Sequence, residues 1–393
     1  MKPIGGDIVV IGLQPWDIKI GSNCKNIALE FAKHSRVFYV NTPLDRKTIW
    51  TEKNKPEVQK RLRINAGQES AVEKVQDNLW TYYPTCVLES INWIKPHGLF
   101  KPFNYLNNKR FAHAIQQLLN KFSVKEFTLF NDNSIYLGYY QKELLQPKQL
   151  IYYIRDNLTK NNYWGYHASK MEHQLIAQAD CVVTNSVYYT RYASQYNKKS
   201  FMIGQGCDFT AFDHVGAEPE EFKNLKRPII GYVGHLSSRR LDVNLIETLA
   251  RNNPEWTFVL VGHEDEVFQQ SALHSTANVF FTGPKKPEAL GTYVAAFDIC
   301  INPQKVSEVT IGNYPRKIDE YLYMGKPTVA SKTEAMEYFK DFIYLGNSAE
   351  EYEALIKQAL KKNNLEQSQR RKEFASQHTW PQSVSEIYNA LES

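Results

Sequence analysis

The rhythm of short apolar runs limits the fold of this chain more than any other feature. In its second half PIIGYVG, WTFVLVG, NVFFTG, DICINP, PTVAS and FIYL are six strand-like runs with helical stretches between them. Such runs, bounded by Gly, Pro and Asn, read as strands buried on both faces, and their alternation with helices reads as a doubly wound parallel sheet. In PEALGTYVAAF, Leu290, Tyr293, Val294 and Phe297 keep helical spacing. The first half repeats the pattern. DIVVI, a turn-rich loop, a helix from about Ser22 to Lys33 and RVFYVN make one βαβ unit within the first 41 residues. LWTYY, FTLF, LIYYI, CVVTN and SFMIG continue it, with helices expected around 104 to 121 and 165 to 179.

The expected fold is therefore α/β, two doubly wound Rossmann-like domains facing a cleft, and 393 residues suffice for two cores. Residues 1–209 form the first domain, 210–226 an acidic linker and 227–364 the second domain, with helices over 365–393. Residues 45–78 are polar with weak periodicity and read as an exposed insertion. The five cysteines are scattered without C-x-x-C spacing, which argues against a disulfide framework or a zinc site and fits a reducing cytoplasm. No apolar run approaches the roughly 20 residues of a membrane span, so a chain that does not cross a membrane is expected. Gly204-Gln205-Gly206 lacks the third glycine of a dinucleotide fingerprint.

Charge is uneven. Residues 1–200 hold 27 Lys+Arg against 16 Asp+Glu, and the remainder 20 against 26. The basic half suits an anionic membrane surface or a phosphorylated substrate, and it contains no nucleic-acid module. From Ser90 to Lys125 there are Lys95, Lys101, Lys109, Arg110, Lys121 and Lys125, interleaved with aromatics, and no acidic residue. Either this stretch, above all Trp93 to Phe103, touches an anionic membrane, or its rings are core and its cations a solvated face.

GNYPRKIDEYLYMGKPTVAS, from Gly312 to Ser331, reads as a loop, a helix and a strand. Asn313 is the expected cap, Pro315 suits the first turn, and Ile318, Tyr321 and Leu322 form the apolar stripe. Gly325 and Pro327 stop the helix. Lys317 and Glu320, three apart, share a face. They are either a solvated ion pair or a pair suited to a phosphate and a sugar hydroxyl. The segment PRKIDEYLYMGKPTVAS resembles the donor site of GT-B glycosyltransferases, particularly bacterial enzymes of family 4 and the teichuronic-acid-biosynthesis type. That resemblance implies that Lys317 contacts a nucleotide-sugar pyrophosphate and Glu320 the ribose hydroxyls. Gly312 stands where the family carries a second glutamate near the donor sugar.

Further positions follow from the same resemblance. In GYVGHLSSRRLD, Arg240 falls where the family has a phosphate-binding lysine, with Arg239 as its substitute and His235 in place of an arginine. Thr282, Gly283 and Lys285 would line the nucleotide base, and Thr310 and Glu308 would face the donor sugar. Loops after first-domain strands make Trp16, Asp17, Asp132 and Asp156 acceptor-side candidates. The resemblance implies transfer of a hexose-type sugar from a UDP- or GDP-sugar to a glycan or lipid-linked glycan during surface polysaccharide assembly, in the cytoplasm or at the inner face of the cell membrane. Arg240 and Lys317 would stabilise the departing diphosphate, and the resemblance implies a retaining enzyme. No D-x-D motif occurs, so no metal and no cofactor are expected. A sugar-nucleotide epimerase of the same fold and a non-catalytic partner in a glycan-assembly complex are the alternatives.

Overall fold

Every strand-like run of the second half enters one sheet. In the computed structural model, which describes residues 6–18, 21–160 and 165–393, the chain divides into two units, 1–204 with 383–393, and 205–382. Both are Rossmann-like, built on parallel sheets. The loop following the first strand includes residues 19 and 20, which lie outside the described residues.

In the first unit the strands are β1 (Asp7–Ile11), β2 (Val37–Val40), β3 (Leu44–Asp45), β4 (Val72–Gln76), β5 (Leu79–Tyr82), β6 (Val87–Leu88), β7 (Phe127–Asp132), β8 (Gln149–Ile154), β9 (Cys181–Thr184) and β10 (Ser200–Met202). Eight of them form a sheet ordered β10-β9-β8-β7-β1-β2-β5-β4, parallel except at the β4 edge, while β3 and β6 pair separately. All five β1 residues are buried, as a central parallel strand requires. The first helix, Asn23–Phe31, starts at Ser22, whose hydroxyl accepts from the Lys25 amide at 3.2 Å, and buries Cys24, Ile27, Ala28 and Phe31.

Residues 45–78 depart from the sequence reading. They form helices Arg46–Thr51 and Pro56–Asn65 and the edge strand β4, and the second helix buries Val58, Arg61 and Ile64. Their polar composition hid the periodicity, because only the second helix covers a stripe, and a narrow one, while the first helix and the edge strand bury no residue. The helix expected from 104 begins earlier, spanning His97–Lys121 with Pro102 in its second turn. Its buried face carries Phe100, Phe111, Ile115 and Leu118, whereas Leu106 is exposed.

The second unit is the sheet β13-β12-β11-β14-β15-β16, all parallel, made of β11 (Ile229–Val233), β12 (Thr257–Val261), β13 (Val279–Gly283), β14 (Ile299–Asn302), β15 (Thr328–Ser331) and β16 (Tyr344–Gly346). Before it, residues 210–226 hold the short helices Thr210–Asp213 and Glu220–Phe222, and Phe212 and Phe222 join the apolar cluster of Val233, Val259 and Phe297. The final helices are Leu365–Ser376 and Trp380–Glu392.

Candidate functional site

Strand order places a switch point in the second sheet. The chain leaves β11 toward β12 on one side, and the neighbouring β14 leads to β15 on the other, so the loops after β11 and β14 part at the carboxyl ends of the strands. Further out they are zipped together. Leu241 pairs antiparallel with Gln304, the Asp242 amide donates to Pro303 O at 2.9 Å, and the Lys305 amide donates to Arg240 O at 2.8 Å. The Lys305 ammonium donates to Ser238 O at 2.7 Å. Arg239 and Arg240 ride this hairpin-like loop, both exposed.

Two glycines bring the backbone together beneath the site. Gly234 has φ +140° and Gly262 φ +152°, conformations that side chains rarely adopt. The Gly234 amide donates to Val261 O at 2.9 Å, and a Cβ added at Gly262 would lie 1.9 Å from Gly234 O. A Cβ at Gly234 would lie 2.9 Å from Lys317 Nζ, so the β11 loop passes directly against that ammonium.

Lys317 begins the helix Lys317–Tyr323. The expected start at Asn313 and Pro315 is corrected: Asn313 donates its amide to Thr310 O, and Pro315 sits ahead of the first helical residue, its carbonyl accepting from the Ile318 amide at 2.9 Å. The stop lies where the sequence puts it. Met324 is the cap, Gly325 has φ +70°, and the Lys326 amide returns to Tyr321 O at 2.9 Å. Ile318, Tyr321 and Leu322 are fully buried, and Tyr321 Oη accepts from the Val233 amide at 2.9 Å, fixing the helix to the end of β11.

Lys317 and Glu320 do not pair with each other. Lys317 Nζ donates to Tyr232 Oη and stands 4.3 Å from that ring's centroid. Among the described residues no carboxylate forms an ion pair with it. Glu320 instead accepts from Arg316 Nε at 3.1 Å, one turn back. The same helix turns Asp319 inward, fully buried. Its carboxylate meets His378 Nδ1 at 2.6 Å, and His378 Nε2 lies 3.0 Å from Tyr338 Oη. Burial raises the Asp319 carboxyl above its ordinary range, opposed by His378. Tyr232, Arg316 and Asp319 escaped sequence reasoning. Arg316 and Asp319 flank Lys317 in the motif, but only the fold reveals what each touches.

The remaining candidates divide. Thr282 and Gly283 end β13, and Gly283 O accepts from the Gly262 amide at 3.1 Å, which joins this loop to the glycine crossing. Lys285 turns away to Glu221 at 3.0 Å and lies over the Tyr293 ring at 5.0 Å. Thr310 is buried, its hydroxyl donating to Lys305 O and accepting from the Ser307 amide, so it holds the loop's own shape. Gly312 lies buried in the turn beyond it. In the first unit Asp17 is held by both terminal nitrogens of Arg61, at 3.0 and 2.9 Å. Arg155 binds buried Asp132 at 2.8 Å and Asp156 at 2.7 Å. The Trp16 amide donates to Asn41 Oδ1 at 2.7 Å, and its ring meets Tyr39 edge-on.

Residues 217–378, which contain the whole glycine crossing and the Lys317 helix, match the model of the family described as Glycosyl transferases group 1. A curated relative from Bacillus subtilis (strain 168), described as a teichuronic acid biosynthesis glycosyltransferase, TuaH, is 27% identical over 186 residues. That match covers 44% of this chain and 46% of the relative, so it spans about half of either protein. Among solved structures, sucrose-phosphate synthase from Thermosynechococcus elongatus superposes with a TM-score of 0.69 at 16% identity, covering 98% of each chain. Anabaena Alr3699/HepE, in complex with UDP and glucose, gives 0.62 at 15% identity over 99% of each. At these identities the likeness establishes the GT-B fold.

Proposed function

We propose that this chain transfers a sugar from a nucleoside diphosphate donor, UDP- or GDP-linked, to a glycan or lipid-linked glycan acceptor in surface polysaccharide assembly. The observation that carries the reading is the Lys317 ammonium, anchored on Tyr232 beside the bare backbone of Gly234 at the sheet's switch point, with no carboxylate among the described residues paired to it. A fixed cation beside an open stretch of backbone suits a diphosphate. Breaking the bond from the anomeric carbon to that leaving group puts extra negative charge on the phosphate, and preorganised charge stabilises it without reorganisation. Arg240 supplies the second cation, and its guanidinium can grip two phosphate oxygens.

Glu320, held by Arg316, is the acceptor for the ribose hydroxyls, and Thr282 and Gly283 face the base with backbone groups. Asp17, Asp132 and Asp156 stay acceptor-side candidates in the first unit. Retention of configuration follows the family's habit, and the sugar contacts rest on the loop around Gly312. The UDP and glucose carried by the Anabaena structure and the description of the Bacillus relative support this reading. The basic stretch of residues 90–125 would keep the first unit, in the cytoplasm, at an anionic membrane that bears a lipid-linked acceptor.

Lys317→Ala and Arg240→Ala should each weaken UDP or GDP binding by about 1 to 3 kcal/mol, the scale of charge-assisted hydrogen bonds, with unchanged thermal unfolding. Calorimetry measures both. Wild-type affinity in both variants would displace the donor site from this loop pair.

A further inference from the structure

The outer face of the first unit exposes apolar surface that its own core leaves uncovered. On the helix His97–Lys121, Leu99, Pro102, Phe103 and Leu106 recur at the three- and four-residue spacing of one helical stripe, and all four are exposed. Phe100, one position away from Leu99, is fully buried, so the helix carries an apolar stripe on two sides. Beside it stand Trp93, 76% exposed, and Trp50, 86% exposed.

Trp50 reaches this face by construction. Its short helix Arg46–Thr51 buries no residue, and it is tied to the segment preceding Trp93 by the Arg46–Glu89 ion pair at 2.7 Å and by the Lys47 amide donating to Ser90 Oγ at 2.9 Å. The result is that Trp50, Trp93 and Phe103 wall one open cavity of about 450 Å³. A soluble surface rarely keeps two nearly bare tryptophans next to an apolar stripe without a use for them.

Lysines supply the exposed charge around this face. Lys47, Lys95 and Lys101 are exposed, and Lys95 lies 5.2 Å over the Tyr166 ring. The nearby carboxylate, Glu89, is already bound by Arg46 and by Arg110 at 2.8 Å. A second copy of the chain meeting this face symmetrically would set lysines against lysines, which disfavours a dimer. An anionic bilayer satisfies both halves of the surface: indole rings prefer the headgroup layer, and ammonium groups meet lipid phosphates. None of the described helices is long and apolar enough to cross a membrane, so the contact is interfacial.

We infer that Trp50, Trp93 and the Leu99–Leu106 stripe seat in the headgroup layer of an anionic membrane, with Lys47, Lys95 and Lys101 bound to lipid phosphates. This deepens the proposal of a lipid-linked acceptor and rests on it for its purpose. It differs from a purely basic contact along residues 90–125. Lys121 lies about 30 Å or more along the helix axis from Leu99, so the far cations take no part.

Sedimentation with phosphatidylglycerol and with phosphatidylcholine vesicles tests it. The full chain should bind the anionic vesicles and not the neutral ones, and added salt should weaken the binding. Trp50→Ala/Trp93→Ala and Lys95→Glu/Lys101→Glu should each reduce it about tenfold or more. UDP binding, measured in the same preparations, should be unchanged in both double variants. Equal indifference of the wild type to both lipids at low salt overturns the inference, as does undiminished binding by the tryptophan variant. A concentration-dependent dimer abolished by that variant would assign the face to a second copy instead. If vesicle binding holds while no nucleoside diphosphate binds, it is the donor reading that fails.

Discussion

Gly262→Ala is expected to unfold much of the second unit or cost at least about 3 kcal/mol, because it combines positive-φ strain with an overlap that neither partner can relieve. The new methyl would sit 1.9 Å from Gly234 O, a backbone atom, and not at the tip of a flexible side chain. To make room, the β11 loop must move, and that loop carries the backbone beside Lys317. The expected result is therefore loss of UDP binding together with a lowered urea midpoint. Gly283→Ala is the control: φ there is +67° and nothing lies within 4 Å of the added carbon, so only the left-handed backbone cost of about 1 to 2 kcal/mol applies. If the two substitutions cost the same, the glycine crossing is not what shapes the site.

Glu172→Gln should change how stability depends on pH. Glu172 is buried under the first sheet, between Tyr152 Oη at 2.9 Å and Tyr192 Oη at 3.0 Å, and burial pushes its carboxyl up to about 7 while the two hydroxyls oppose the shift. In the unfolded chain it titrates near 4.5. Between those values the folded state holds a proton that the unfolded state has released, so stability falls as pH rises through that window. At one and a third kcal/mol for each pKa unit, the loss on going from pH 4.5 to 8 is on the order of 3 kcal/mol. The glutamine variant has no proton to hold. Its urea stability measured at pH 5 and pH 8 should thus gain on the wild type at the higher pH. Parallel curves for the two proteins would mean that Glu172 is ionised in the fold.

Much of this architecture was legible because parallel strands are buried on both faces and leave apolar runs that need no partner to be recognised. Each of the six runs of the second half occupies one strand of a single sheet. The edge strand Val72–Gln76 was not legible, since three of its five residues face solvent and its sequence, VEKVQ, is polar. The Lys317 helix was readable at its glycine stop, where a left-handed residue is demanded locally, and misread at its start, where loop geometry decides. Lys317 and Glu320 stood out through the motif. Their partners did not. Tyr232 is 85 positions from Lys317, and the pairing of Glu320 with Arg316 could not be separated in sequence from a pairing with Lys317.

In the proposed donor site Lys317 and Glu320 read different parts of one nucleoside diphosphate. Calorimetric titration of Glu320→Gln with UDP and with inorganic pyrophosphate tests it most directly. UDP affinity should fall by about 1 to 2 kcal/mol, the cost of a charged hydrogen bond made neutral, while pyrophosphate affinity stays at the wild-type value. Wild-type affinity for both ligands, or equal losses for both, would contradict the claim.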